Sequence, residues 1–144
     1  PGWAEQDPED WWKNLGEAVR GALQSVDDED NNENGNDNAT KDRVAAVCVD
    51  TTCCSVVALD SNYAPLRNSR ALLWMDARSA KQTEEIMMKC KGDPALQVNC
   101  NGLGPISAEW MTPKALWIKQ NEPEVWRSAK VICEYQDYIN YKLT

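Results

Sequence analysis

The chain has 144 residues, a formal net charge of −8, seven Trp, and neither His nor Phe. The length fits one domain or part of one, and 42% hydrophobic residues are enough for a packed core. Absence of His excludes a Ser-His-Asp triad, a His base and a His metal ligand; a pI near 4.5 argues against nucleic acid; and no run reaches the ~18 apolar residues a membrane-spanning helix needs.

A helix is predicted over residues 8–26. Asp7 is placed to cap it, Pro8 suits its first position, and Glu9 and Asp10 complement the positive end of its dipole. Trp11, Trp12, Leu15, Val19, Ala22, Leu23 and Val26 recur at three and four residues and form one apolar face. Residues 27–42 follow with seven acids and one base, whereas residues 43–144 hold eleven acids and twelve bases. The excess charge therefore belongs to one stretch. That stretch has no large apolar residue, and its composition predicts a disordered acidic insertion over 27–42.

Residues 44–49, Val-Ala-Ala-Val-Cys-Val, read as a strand buried on both faces. Residues 55–60 read as a second strand, 61–65 as a turn, and 71–74 as a third strand. A helix is predicted over 78–91, stopped at Gly92, with a short helix from Pro94 to Val98. Residues 101–105 form a glycine loop. Thr112-Pro113 opens a helix ending near Asn121, Glu122-Pro123 opens another through Ala129, residues 131–133 are a short strand, and a last helix begins at Asp137. Strands alternating with helices indicate an α/β fold.

Six Cys are present, at 48, 53, 54, 90, 100 and 133. The opening residues are polar and acidic and do not read as a signal peptide. No Cys-x-x-Cys pair supports zinc, and adjacent Cys53 and Cys54 do not readily pair with each other. The expected state is reduced, with Cys48 and Cys133 as small core residues. The expected compartment is the cytoplasm, with an organelle as the alternative.

No phosphate-binding glycine motif is visible. Candidate site residues lie past the carboxyl ends of predicted strands, where open α/β sheets bind ligands. One group is Thr52, Cys53 and Cys54. Another is Trp74, Asp76 and Arg78, which offers an indole face, a carboxylate and a guanidinium within five residues. Glu109-Trp110 repeats the theme. An aromatic face against C–H groups, with polar groups for paired hydroxyls, suits a polyol.

Read together, four segments resemble the FGGY family of carbohydrate kinases. They are Gly2-Trp3-Ala4-Glu5-Gln6-Asp7-Pro8 entering a helix, Leu72-Leu73-Trp74-Met75-Asp76-Ala77-Arg78, Pro113-Lys114-Ala115-Leu116-Trp117, and Asp137-Tyr138 through Lys142-Leu143-Thr144. Within the family the chain looks most like ribulokinase-like pentulose kinases, on Thr52-Cys53-Cys54 preceded by Asp50-Thr51 and on Ser107-Ala108-Glu109-Trp110-Met111. The absence of His in that loop sets it apart from many xylulose kinases.

The resemblance implies a partial ribonuclease-H-like (actin-like ATPase) domain: the N-terminal half of a sugar kinase, over residues 1–144, without its first β-hairpin. It implies transfer of the ATP γ-phosphoryl to a sugar hydroxyl, most simply of a pentulose such as ribulose, with Mg²⁺ on the phosphates. The phosphate loop and catalytic Asp would lie outside this chain, so the chain alone is expected to be inactive. Its part would be a sugar-binding wall of Thr52, Cys53, Cys54, Trp74, Asp76, Arg78 and Trp110. The alternative is a non-catalytic kinase-like module that binds a sugar or a protein. Without the hairpin, residues 44–49 are expected to form an exposed apolar edge.

Overall fold

The computed structural model describes residues 2–33, 44–98 and 106–144. In chain order the elements are β1 (Glu5–Gln6), α1 (Pro8–Glu33), β2 (Val56–Leu59), β3 (Ala71–Leu72), α2 (Ala80–Lys89), a 3-10 turn (Pro94–Val98), α3 (Met111–Asn121), α4 (Pro123–Ser128), β4 (Val131–Glu134) and α5 (Tyr135–Leu143). The strands form one sheet in the order β1-β3-β2-β4. Every pairing is antiparallel, with Val56 opposite both Leu72 and Glu134.

The run Val56–Leu59 is apolar throughout because both faces of β2 are covered. Its residues are 1–2% exposed. Val57 and Leu59 point to one side, against Trp11 of α1 and Tyr138 and Ile139 of α5. Val56 points to the other, against Ile118 of α3, with Trp117 and Val125 packed alongside. The two-residue period of a strand thus sorts four apolar residues between two half-cores.

Asp7 caps α1 as expected, its Oδ1 accepting from the Glu9 N–H at 2.9 Å. Trp11, Trp12 and Leu15 join the core, but Val19 and Val26 remain 48% and 38% exposed, so only the first turns of the apolar stripe are used. The helix continues to Glu33, which corrects the expected disorder over residues 27–33. The cost of a helix lies in nucleation, and the packed first turns carry that cost, so extension through Asp and Asn proceeds residue by residue. The remainder of the acidic stretch, and the expected glycine loop at 101–105, lie outside the described residues.

The expected strand over 44–49 is not formed. These residues have no ladder partner among the described residues, and Val44 and Val47 are 48% and 74% exposed. The apolar pattern is right for a strand, but none of the four sheet strands lies beside it. Cys48 is consequently exposed rather than core, while Cys133 on β4 is buried as expected. Burial pushes the Cys133 thiol up to about 12, with help from the charges of Asp137 and Glu134.

Turns and caps follow the sequence closely elsewhere. Asp60 Oδ1 accepts from the N–H groups of Asn62 and Ala64 and closes the turn after β2. At the start of α5, Glu134 and Asp137 form a reciprocal capping box. Among the described residues, no helix is long and apolar enough to cross a membrane.

Candidate functional site

Thr52, Cys53, Cys54, Trp74, Glu109 and Trp110 line one cavity of about 290 Å³. Three segments build it: the chain leading into β2, the chain leaving β3, and the chain entering α3. Each is pinned. Ser55, buried at the start of β2, accepts on Oγ the N–H of Trp74 at 3.1 Å, so the first two segments are joined next to the cavity. Ser79, also fully buried, donates its hydroxyl to the Ala108 carbonyl at 2.6 Å and fixes the approach to Glu109 and Trp110. Gln136 on α5 donates to the Val49 carbonyl at 2.8 Å and accepts from the Thr51 hydroxyl at 3.3 Å.

Lys114 ties these walls together. Trp110 is the N-cap residue of α3, and Lys114 follows one turn on with its whole side chain buried. Its Nζ donates to the carbonyls of Leu73 at 2.6 Å, Cys54 at 2.8 Å and Trp74 at 3.3 Å. Three donors thus meet three acceptors drawn from two walls, while the backbone of the same helix carries the third. Burial lowers the Lys114 pKa, opposed by the charges of Asp76, Cys54, Glu109 and Glu134. Sequence reasoning passed over Lys114 as part of a motif. The available signal was a lysine one turn into a helix beside Leu116 and Trp117.

Asp76 and Arg78, also expected in the sugar wall, are not among the residues that line this cavity. Asp76 is fully buried, and its carboxylate accepts from the Ala4 N–H at 2.6 Å and from Arg78 Nε and Nη2 at 2.9 and 2.7 Å. Burial alone would raise its pKa. The Arg78 bonds and the Ala4 and Arg78 N–H groups outweigh that and hold it below the ordinary carboxylate range. The Arg78 guanidinium lies 4.0 Å from the Trp3 ring centroid and 4.8 Å from that of Trp117. Its Nη1 has no hydrogen-bond partner, and the indole faces stand in for one. Glu5 Oε1 serves Arg78 and Arg67 alike, each at 2.8 Å. Two residues of spacing let Asp76 chelate Arg78, and Trp3 and Trp117 seal the pair from the opposite side of the sheet edge.

Chemically the cavity offers two indole faces, the Thr52 hydroxyl, the Glu109 carboxylate and two thiols. Both Trp residues are partly exposed, with Trp74 at 43%, so their faces are open to a ligand. Burial pushes the Cys54 thiol up, with Glu134 and Cys53 adding to the shift. Among the described residues no group of three His, Cys, Asp or Glu side chains gathers where a metal ion could sit.

The mixed α/β sheet, covered on both faces and carrying a polyol-sized cavity past its strand ends, defines a partial domain of the actin-like sugar-kinase type. The whole chain, residues 1–144, matches the N-terminal domain of the FGGY family of carbohydrate kinases, and the chain belongs to that family. It is 31% identical to the xylulose kinase of Staphylococcus epidermidis over 144 residues, covering 100% of this chain and 25% of that protein. It is 26% identical to the ribulokinase of Bacillus licheniformis over 152 residues, covering 98% of this chain and 25% of that protein. The crystal structure of xylulose kinase from Rhodospirillum rubrum superposes with a TM-score of 0.67 at 27% identity, covering 97% of this chain and 25% of that one. The chain therefore spans about a quarter of the length of the proteins it matches.

Proposed function

We propose that the protein carrying this chain is an ATP-dependent kinase of a pentulose, and that Thr52, Cys53, Cys54, Trp74, Glu109 and Trp110 hold the sugar. The observation that carries this reading is the meeting of two indole faces with hydroxyl and carboxylate groups in one cavity of about 290 Å³, in a chain of a carbohydrate-kinase family. Indoles cover the C–H face of a sugar, and Thr52 and Glu109 reach its hydroxyls. Lys114 keeps the walls at a fixed spacing, which is what orientation of a reacting hydroxyl requires. ATP is the phosphoryl donor in this reading and Mg²⁺ its companion. The part of this chain in that reaction is to bind and orient the sugar.

The sequence motifs favoured ribulose. The relatives support the broader pentulose class, because xylulose kinases recur among them beside one ribulokinase. The test is an ADP-release assay on the full-length protein with D-xylulose, D-ribulose and L-ribulose. One of these sugars should drive ATP turnover, and Trp110→Ala should raise its KM roughly tenfold, the loss of about 1.4 kcal/mol. Turnover with none of the three rejects the pentulose reading. An unchanged KM in Trp110→Ala rejects the assignment of the cavity.

A further inference from the structure

Cys53 and Cys54 are neighbours in sequence and both line the cavity. Extended backbone normally sends neighbouring side chains to opposite sides. At Cys54 the chain enters the left-handed region, with φ 64°. Both side chains are thereby turned toward the same space. Both thiols are free, Cys53 is exposed, and Cys54 is partly so. Lys114 holds the Cys54 carbonyl at 2.8 Å and fixes this turn.

Two thiols on adjacent residues that face one cavity have a particular coordination chemistry. Direct S–S closure would make a small strained ring, because the geometry of a disulfide is narrow. A bridging atom relieves that strain. Soft sulfur ligands select soft centres. A two-coordinate centre such as Cu(I) places its sulfurs on opposite sides, which adjacent side chains facing one cavity do not offer. Trivalent arsenic is pyramidal and holds two sulfurs side by side, leaving its third bond for a carbon substituent. Trp74 and Trp110 line the same space and present apolar faces to such a substituent.

We infer that Cys53 and Cys54 form a chelating dithiol site for a trivalent organoarsenical, whose organic group lies between the Trp74 and Trp110 indoles. With phenylarsine oxide, two As–S bonds form and the As–O bond is lost. The two thiol protons leave with that oxygen as water, and arsenic stays trivalent, so no oxidant or reductant is needed. The site stands on the cavity geometry and not on the sugar reading.

The test is intact-mass analysis of the protein treated with phenylarsine oxide. One equivalent should add with loss of one water, persist in excess 2-mercaptoethanol, and come off with 2,3-dimercaptopropanol. Cys53→Ser and Cys54→Ser should each weaken retention about a hundredfold, the loss of the chelate's effective concentration. Cys48→Ser and Cys90→Ser should leave it unchanged. Tandem mass spectrometry of the unsubstituted adduct should place arsenic on residues 53–54, a readout that does not depend on how any variant folds. An adduct stripped by the monothiol, retained in either serine variant, or located on another cysteine overturns the inference.

Discussion

Two regions of this molecule invert the usual rule about what is buried. Around β1 and β3 the interior is charged: Asp76, Arg78, Arg67 and Glu5 meet under Trp3 and Trp117, and Lys114 lies fully buried nearby. At residues 44–49 the exterior is apolar, with Val44 and Val47 turned to solvent. The difference teaches that burial here follows satisfaction and not polarity. Each buried charge has its partners, whereas the valines have the composition of a core strand and no strand to lie against.

Replacing Asp76 by Ala is the most direct way to break this comparison. It leaves the Arg78 guanidinium with Glu5 as its carboxylate partner, so the loss should approach about 3 kcal/mol, the low end for breaking a buried ion pair. Urea denaturation should show a lower midpoint and an unfolding free energy reduced by that amount. A variant as stable as the parent would mean that the charged interior is incidental.

Lys114→Met should come next. It keeps the length of the side chain but leaves the Leu73 and Cys54 carbonyls without their donor, at a cost of about 1–3 kcal/mol. Unlike Asp76→Ala it should also abolish pentulose binding, because it releases two walls of the cavity at once. Calorimetry on the full-length variant separates the two effects.

Acid sharpens the same contrast. Asp76 and Glu5 both lie below their ordinary values of 3.8 and 4.5. A carboxylate lowered on folding adds stability above its unfolded value and loses it as pH falls through the folded one. Stability should therefore be flat above about pH 5 and fall below pH 4. Asp76→Asn should flatten that acid limb, as followed by Trp fluorescence against pH.

The smallest effect belongs to the exposed region. Val47, at 74% exposure, has little packing to lose, so Val47→Lys should change stability by less than about 0.5 kcal/mol. It should nonetheless reduce self-association, because a charge on an unpaired extended segment blocks edge pairing. Light scattering across a concentration series measures this directly.

Most helices and the central strand were legible from the sequence because their causes are local. Asp7 and Pro8 announce the start of α1, and Pro123 announces α4. The run 56–59 announces a strand covered on both faces. The failures share one cause, which is a partner distant in the chain. Residues 44–49 have strand chemistry, but pairing is decided elsewhere. Asp76 and Arg78 looked like ligand groups because their partners Ala4, Glu5, Trp3 and Trp117 lie far along the chain. Five of the seven expected wall residues, Thr52, Cys53, Cys54, Trp74 and Trp110, do line one cavity, because each lies at a strand end or helix start.

The two-residue strand β1 bears more than its length suggests. Trp3 covers Arg78, Ala4 supplies an N–H to Asp76, and Glu5 joins Arg67 to Arg78. Loss of residues 2–5 would remove scarcely any apolar core. It would nevertheless take away the Glu5 carboxylate that Arg67 and Arg78 share, the Ala4 amide that Asp76 accepts and the Trp3 face over Arg78. Residues 3–5 act as a clasp, and changes made in them reach the buried charges.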